Sequence, residues 1–381
     1  MLKIVADENI SYAEEAFSRF GKVTLCHGRK ITKDILSDAD VLVVRSITKV
    51  DEDLLEGTPV KFVGTATIGT DHIDKSYLQE KGIGFSDAAG CNADAVAEYV
   101  FTALLTAAAE KNFKLEGKTV GIVGVGNIGS RIARLAPLLD MKVLKNDPPL
   151  QRKNGNDEYV PFDKIFDADI VTLHVPLNMD GIDKTYHMFD AENLRRLKDG
   201  TVLINACRGQ VVDNYDLLKI MDEKNLTVIL DVWENEPDIN IDLLKKVYIG
   251  SPHIAGYSLE GKVNGTSFIY DALSKFLGKE DGWKPALPEV DDNFISLNLS
   301  EEKEHLLYNL FNKIYPIKRD DKNLRELINM KADERPVSFD KLRKNYPLRR
   351  ELNNYTVDIS DIEIDLRNVL TGFRLKNIPK G

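Results

Sequence analysis

Three side chains in this sequence have types and surroundings that suit chemistry on a small acid. Arg208 stands in NACRG, Glu236 in DVWENEP and His253 in SPHIAG, each shortly after an apolar run rich in β-branched residues. An arginine can clamp a carboxylate through two parallel hydrogen bonds, and a histidine readily exchanges a proton near neutral pH. A glutamate can hold the second ring nitrogen of that histidine. Together the three side chains suit oxidation of an alcohol carbon beside a carboxylate, although each taken singly could be structural.

A glycine-rich turn upstream predicts a dinucleotide site. The segment 119–132 reads TVGIVGVGNIGSRI, in which an apolar strand runs into G-x-G-x-x-G and then into a helix. Gly124 permits the tight turn, Gly126 lets the backbone approach a pyrophosphate, and Gly129 allows the helix to pack closely on the strand. The N-terminus of that helix offers N–H groups and a partial positive charge to phosphates.

Asp147 follows Gly129 by eighteen residues, at the end of the next apolar run. A carboxylate at this position accepts hydrogen bonds from the ribose hydroxyls of the adenosine half and repels a 2′-phosphate. The predicted cofactor is therefore NAD rather than NADP. The alternative is a structural glycine turn followed by a chance acidic residue.

Short apolar runs alternate with helical segments along most of the chain, which predicts parallel β-sheets buried on both faces. The runs are residues 2–6, 41–44, 62–63, 120–123, 170–173, 202–204 and 228–230. A long Ala-rich helical stretch, 93–110, separates the first three runs from the others and could connect two domains. Because ligands gather at the carboxyl ends of parallel strands, this architecture would bring the motifs together.

The predicted fold class is α/β, with two Rossmann-like, doubly wound parallel-sheet domains, a cleft between them, and a small α+β C-terminal domain. Residues 1–93 and 255–280 would form a discontinuous substrate (lid) domain, and residues 94–254 the NAD-binding Rossmann domain. A Pro- and Trp-bearing link then leads to the third domain, residues 286–381.

Composition limits the classes of function that remain. The 381 residues are 43% hydrophobic and 29% charged, with a net charge of -10. This charge argues against general attraction to nucleic acid or to anionic lipid, so an anionic substrate would need a local basic pocket. Three widely spaced cysteines, Cys26, Cys91 and Cys207, suit reduced thiols in the cytoplasm rather than a disulfide framework or a zinc site. The first residues lack a signal-peptide core, and no apolar stretch is long enough to span a membrane.

The ordered set of motifs resembles the D-2-hydroxyacid dehydrogenase family across residues 1 to about 280. In that family the Arg, Glu and His of these motifs are catalytic, which supports Arg208, Glu236 and His253 position by position. The resemblance also implies that Asp231 meets the nicotinamide side of NAD. The predicted cofactor contacts are Gly124, Gly126, Asn127, Ile128, Gly129, Asp147, Ala206, Cys207, Asp231 and Gly256. No metal ligand is predicted.

A second set of stretches resembles one group within that family. The substrate of this group is a phosphorylated, polyhydroxylated 2-hydroxy acid of vitamin B6 synthesis. The matching stretches are residues 6–9, 44–50, 62–67, 90–93, 253–262 and 339–346. The resemblance implies substrate contacts by Ser46, Thr67 and Tyr257, and a homodimer built by the C-terminal domain. Hydroxyl groups and a nearby Arg45 could satisfy many substrate oxygens. Without the resemblance, Ser46 and Thr67 could be turn residues.

Several alternatives stay open at this point. The substrate could be that of a 3-phosphoglycerate dehydrogenase or of another D-2-hydroxyacid dehydrogenase. A non-catalytic protein that senses NAD is a candidate of another class, although sensing requires no proton acceptor. The basic residues of 341–350 could be a solvated helix face, or some of them, such as Arg343 and Arg349, could reach the substrate phosphate of a partner subunit.

Overall fold

The computed structural model describes residues 1–155, 158–279, 282–358 and 363–378. The strands are β1 Leu2–Asp7, β2 Gly21–Cys26, β3 Val41–Val44, β4 Phe62–Thr65, β5 Gly84–Asp87, β6 Thr119–Val123, β7 Lys142–Asn146, β8 Ile170–Leu173, β9 Val202–Asn205, β10 Thr227–Leu230, β11 Ile249–Gly250, β12 Phe294–Ile295, β13 Thr356–Asp358 and β14 Lys376–Ile378. The helices are α1 Ala13–Phe17, α2 Glu52–Leu55, α3 Lys75–Glu80, α4 Ala93–Lys111, α5 Asn127–Leu135, α6 Pro148–Asn154, α7 Ala191–Arg196, α8 Asn214–Glu223, α9 Ile241–Lys246, α10 Leu259–Phe276, α11 Lys303–Ile314, α12 Ile317–Arg325, α13 Arg335–Lys344 and α14 Ile364–Gly372.

The chain forms two compact units. The first consists of Met1–Asn92 and Ser258–Glu289, and the second of Ala93–Tyr257 and Val290–Gly381. The division into three domains stays a prediction, and its ends at residues 280 and 381 lie outside the described residues.

The first unit is built on a five-stranded sheet in the order β2-β1-β3-β4-β5, with every neighbouring pair parallel. β3 and β4 are buried along their whole length. Such strands are covered on both faces, which explains their continuous apolar sequence. α10 returns to this unit after the chain has completed the second sheet, so the unit is discontinuous in sequence.

The second unit contains a six-stranded parallel sheet in the order β11-β10-β9-β8-β6-β7. The chain starts in the interior of this sheet at β6, adds β7 on one side, and then adds β8 to β11 on the other. In such sheets ligands bind outside the carboxyl ends of the strands, near the point where the direction of winding changes. Because every neighbouring pair is parallel, all six strands present their carboxyl ends at the same edge of the sheet.

The C-terminal segment shares a hydrophobic core with this sheet. α4 is buried over most of its length, and its Phe101 packs edge-to-face on Phe373, with ring centroids 5.0 Å apart. Phe311 of α11 meets the same ring at 4.9 Å. β12, β13 and β14 add a small parallel sheet of their own. Among the described residues, no helix is long and apolar enough to cross a membrane.

Candidate active site

The glycine turn joins β6 to α5 in a conformation that requires glycine. Gly124 has a φ of 87°, which disfavours any side chain, and a Cβ on Gly129 would lie 2.0 Å from the carbonyl oxygen of Gly124. No described side chain caps α5 at Gly126, and a Cβ there would meet no described atom within 4 Å. The first turn of α5, with Asn127 and Ile128, is therefore open to a phosphate group.

Asp147 ties this turn to the end of β7. One carboxylate oxygen accepts from the N–H of Val125 at 2.8 Å, and the other accepts from the N–H of Leu150 at 2.9 Å, capping α6. Each oxygen keeps a further lone pair, so the half-buried carboxylate can also accept a ribose hydroxyl. The glycine turn and this acid therefore fit an unphosphorylated adenosine ribose and the pyrophosphate of NAD.

Arg208 follows β9 in a loop that is fixed by buried Asn205. The side-chain oxygen of Asn205 accepts from the N–H of Cys207 at 3.2 Å, and its amide nitrogen donates to the carbonyl of Arg208 at 2.9 Å. Ala206 and Cys207 are nearly buried, and burial raises the pKa of the Cys207 thiol. Arg208 itself is half-exposed, and its Nη1 donates to the carbonyl of Cys207 at 2.7 Å.

Asp231, directly after β10, holds the loop that carries the histidine. One carboxylate oxygen accepts from the hydroxyl of Ser251 at 2.6 Å and from the N–H of Ile254 at 2.8 Å, and the other accepts from the N–H of Ala255 at 2.9 Å. The backbone carbonyl of Asp231 accepts from the N–H of His253 at 2.7 Å. Asp231 is buried, with 1% of its surface exposed. It anchors this loop, a structural role that the sequence did not predict. Its contact with nicotinamide stays a prediction.

Glu236 and His253 form a hydrogen-bonded pair. The Oε2 of Glu236 lies 2.7 Å from the Nδ1 of His253, and its Oε1 accepts from the N–H of Trp233 at 2.8 Å. Burial by itself raises the pKa of Glu236, but the charge and hydrogen bond of His253, the Trp233 N–H and the charge of Arg343 together hold that pKa below its usual range. Glu236 is therefore a carboxylate, and the Nδ1 of His253 must carry the proton that they share.

His253 has a backbone φ of 57°, a left-handed conformation that is rare for residues other than glycine and typical of functional sites. Its side chain remains 35% exposed. The turn that follows contains Gly256 and is closed by a hydrogen bond from the N–H of Tyr257 to the carbonyl of Ile254 at 2.8 Å. With Nδ1 protonated, Nε2 is the ring nitrogen that can accept a proton.

Two other histidines of the second unit have surroundings that do not suit a general base. Burial lowers the pKa of His174 to about 3, so this ring is neutral. His187 lies between two carboxylates, with its Nε2 2.7 Å from Glu234 and its Nδ1 3.1 Å from Asp213. His174 directly follows the carboxyl end of β8, but its ring is buried, and His187 lies in the segment between β8 and α7.

Tyr257 contacts Arg343 of α13, a partner that the sequence did not identify. The Nη2 of Arg343 donates to the hydroxyl of Tyr257 at 3.1 Å. The alternative that the basic residues of 341–350 form a solvated helix face is wrong for Arg349. Helix α13 ends at Lys344, and Arg349 is buried. Arg349 donates to the carbonyls of Ala95 and Ala255 at 2.9 and 2.7 Å.

In the first unit, Ser46 and Thr67 follow the carboxyl ends of adjacent strands, β3 and β4. Ser46 is exposed, whereas Thr67 is half-buried and its hydroxyl lies 2.7 Å from that of Thr65 and donates to the carbonyl of Gly69 at 3.0 Å. Thr67 therefore has a role in the turn itself. The substrate contacts of both residues stay predictions. Among the described residues, no group of three His, Cys, Asp or Glu side chains could hold a metal ion.

A family model and solved structures of similar fold define the class of this protein. Residues 97–255 match the family model "D-isomer specific 2-hydroxyacid dehydrogenase, NAD binding domain", and residues 286–370 match a domain of unknown function, DUF3410. A D-lactate dehydrogenase structure from Aquifex aeolicus, complexed with NAD and lactic acid, superposes with a TM-score of 0.60 at 25% identity, over 72% of this chain and 95% of that one. A Staphylococcus aureus NAD-dependent formate dehydrogenase gives 0.58 at 24% identity, over 72% and 96%. The fold and the site are those of an NAD-dependent oxidoreductase of the D-2-hydroxyacid dehydrogenase class.

Sequence relatives narrow this class. Proteins named erythronate-4-phosphate dehydrogenase from Yersinia pestis (strain Pestoides F) and from Yersinia pseudotuberculosis serotype O:1b (strain IP 31758) are each 48% identical over 364 residues, which cover 94% of this chain and 96% of theirs. The chain therefore belongs to the erythronate-4-phosphate dehydrogenase family, within the D-isomer specific 2-hydroxyacid dehydrogenases.

Proposed function

We propose that this protein oxidises 4-phospho-D-erythronate to (R)-3-hydroxy-2-oxo-4-phosphooxybutanoate with NAD, in the biosynthesis of pyridoxine 5′-phosphate. The name of its relatives supports the substrate. The observation that carries the chemistry is the 2.7 Å contact between the Nδ1 of His253 and Glu236, because it leaves the other ring nitrogen ready to accept a proton.

His253 is the general base in this proposal. Its Nε2 takes the proton of the C2 hydroxyl as the C2–H bond breaks and the C2 carbonyl forms. Glu236, held as a carboxylate, fixes the tautomer of the ring and stabilises the imidazolium that results. In the reverse direction the same ring returns the proton to the carbonyl oxygen.

Arg208 clamps the substrate carboxylate, because a guanidinium can form two parallel hydrogen bonds with it and so orient the neighbouring carbon. Ser46, Thr67 and Tyr257 are proposed to contact the remaining substrate oxygens through their hydroxyl groups.

NAD, when bound, supplies the hydride acceptor. Gly124, Gly126 and Gly129 would hold its pyrophosphate, and Asp147 would hold the adenosine ribose. The further contacts proposed are Asn127, Ile128, Ala206, Cys207, Asp231 and Gly256.

The substrate is tested by comparing kcat/KM for 4-phospho-D-erythronate and for 3-phosphoglycerate. NAD is the oxidant, and a 2-oxo acid is added in parallel assays to reoxidise any NADH that stays bound. We expect a clear preference for 4-phospho-D-erythronate. A preference for 3-phosphoglycerate would keep the chemistry and overturn the substrate, whereas turnover of neither would favour a protein that senses NAD.

We also propose that the protein is a cytoplasmic homodimer whose interface is formed by residues 286–381. Exposed apolar side chains in this segment support an interface. The most exposed of them are Val337, Leu348 and Ile364. The cytoplasmic location is supported by three cysteines that are all free thiols. Sedimentation equilibrium tests the dimer, and a Leu348→Glu variant should shift it towards the monomer.

A further inference from the structure

The loops that carry Arg208 and Glu236 touch each other through their backbones. Gly209, directly after Arg208, packs on the peptide that joins Trp233 to Glu234. A Cβ on Gly209 would lie 1.9 Å from the carbonyl oxygen of Trp233, so only glycine allows this approach. The relative position of the proposed clamp and of the acid that holds the base is therefore set where these two loops meet.

The side chain of Glu234 bonds the loop after β10 to the loop after β9. Its Oε2 accepts from the N–H of Asn214 at 2.8 Å, and the side-chain oxygen of Asn214 accepts in return from the N–H of Glu234 at 3.1 Å. Asn214 is buried and is the first residue of α8, which begins five residues after Gly209. The two loops are thereby joined by a reciprocal pair of hydrogen bonds.

His187 adds a third segment to this junction. Its Nε2 lies 2.7 Å from the other carboxylate oxygen of Glu234, and its Nδ1 lies 3.1 Å from a carboxylate oxygen of Asp213. Ionised carboxylates only accept hydrogen bonds, so a ring that carries both protons can donate to both. The backbone N–H of His187 donates to the carbonyl of Gln210 at 2.8 Å, in the loop after β9. One residue therefore contacts both loops.

Backbone and ring contacts hold His187 in one orientation. Its φ is 51°, a left-handed conformation that is uncommon for residues other than glycine. Its ring is stacked on that of Tyr186, with centroids 4.0 Å apart. The side chains of His187 and Glu234 are only 26% and 17% exposed, so their contact is screened by solvent less than that of a surface pair.

We propose that His187 is a positioning residue for the reaction: by holding Glu234, it keeps Glu236 in place to bond His253. This role rests on the proposed function, in which Glu236 fixes the tautomer of the base. Glu236 stands two residues after Glu234, and its Oε1 accepts from the N–H of Trp233, directly before Glu234. A displacement of Glu234 would therefore displace both the backbone that carries Glu236 and the N–H that holds its carboxylate.

Three replacements of His187 separate this role from a purely structural one. The amide nitrogen of glutamine can take the place of Nε2, and that of asparagine can take the place of Nδ1. His187→Gln can therefore keep the bond to Glu234, whereas His187→Asn can keep only the contact with Asp213. Asparagine, however, suits the left-handed backbone better than glutamine does. His187→Ala keeps neither contact.

The kinetic test compares these variants with 4-phospho-D-erythronate and NAD. We expect kcat to fall about 10- to 100-fold in His187→Ala and His187→Asn, because Glu236 and the base are misplaced, while KM for NAD stays near the wild-type value. His187→Gln should restore most of the rate, and His305→Gln, which replaces an exposed histidine of α11, should match the wild type. A wild-type kcat in His187→Ala, or a rate in His187→Asn that equals or exceeds that of His187→Gln, would overturn the role.

A second measurement needs no turnover. In protein with isotope-labelled histidine, the Nδ1–H proton that His253 shares with Glu236 is followed by NMR and assigned by its loss in His253→Gln. We expect this signal to shift in His187→Ala and to return in His187→Gln, and an unshifted signal in His187→Ala would contradict the proposal. If the wild type does not oxidise 4-phospho-D-erythronate, the proposed function fails, while the NMR signal still decides whether His187 positions Glu236.

Discussion

At the scale of single residues, the proposed chemistry depends on how His253 is held. Its ring is fixed through Nδ1 by Glu236, its backbone N–H is bonded to the carbonyl of Asp231, and its φ is positive. A residue held in such a conformation persists only when its surroundings determine it. The surrounding contacts therefore aim one nitrogen of the ring and leave 35% of the side chain exposed to a reactant.

Replacing the base tests this arrangement. In His253→Ala, kcat should fall by about two to four orders of magnitude, because general base catalysis is lost. The affinity for NAD, measured by fluorescence titration, should remain at the wild-type level. Near-normal turnover would show that another group accepts the proton.

The proposed carboxylate clamp is tested by Arg208→Lys. An ammonium group cannot reproduce the planar two-point contact, so KM should rise and kcat should fall together in steady-state kinetics. Arg195→Lys, a surface replacement in an exposed ion pair with Glu223, is the matched control and should leave both constants unchanged. Identical kinetics for Arg208→Lys and the wild type would contradict the clamp.

At the scale of elements, the loop from Ser251 to Tyr257 is positioned by the strand beside it. Asp231, at the end of β10, accepts hydrogen bonds from one side chain and two backbone N–H groups of this loop. The carbonyl of Ala255 in turn accepts from buried Arg349 of the C-terminal segment. The loop that carries the base is therefore held from both the sheet and the C-terminal segment.

Asp231→Asn should weaken this support. An amide cannot accept from all three donors, and a buried N–H left unpaired costs about 1–3 kcal/mol, so the free energy of unfolding in urea should fall by about that amount. Turnover should fall with it, whereas exposed Asp242→Asn should change neither. An unchanged stability with a weaker affinity for NAD would instead make Asp231 a cofactor contact and not a loop anchor.

The sequence predicted the strands and motifs of the site. It predicted fewer of the side-chain contacts that fix those motifs in place. Apolar runs and the motifs after them indicated parallel strands with ligands at their carboxyl ends, because periodicity and strand-end chemistry are local properties. The anchoring by Asp231 could have been suspected from an acid placed directly after a buried strand. The pairing of Arg343 with Tyr257, and of Phe101 with Phe373, could not, since it depends on how segments far apart in sequence pack together.

At the scale of the whole chain, the C-terminal segment completes the second unit through a partly buried ionic network as well as through apolar contacts. Arg374 bonds to Glu98 of α4 and to Glu351, each at 2.9 Å, and lies 3.1 Å from Asp94. Asp94 also accepts from Arg131 of α5 at 2.6 Å. The network therefore links the C-terminal segment to the helix that opens the dinucleotide site.

This network makes stability depend on pH. Burial and the charge of Glu351 raise the pKa of Glu98 to about 8, against the opposing charges of Arg374 and Arg349. The folded protein therefore keeps this proton where the unfolded chain, with an ordinary value of 4.5, has lost it. The stabilisation is fully present below the unfolded value and is lost as the pH rises through about 8.

Urea unfolding measured across this pH range checks the assignment to Glu98. Wild-type stability should decline as the pH rises, and Glu98→Gln, which stays neutral, should flatten the decline. Glu116→Gln, an exposed residue after the same helix, should keep the wild-type profile. Parallel profiles for the wild type and Glu98→Gln would assign the pH dependence to other groups.

Transfer of the hydrogen at C2 to NAD can be followed directly by isotopic labelling. The protein is incubated with NAD and 4-phospho-D-erythronate that carries deuterium at C2, and the NADH formed is examined by mass spectrometry. We expect NADH that contains one deuterium per turnover, together with the 2-oxo product. NADH without deuterium, or no reduction of NAD, would contradict it.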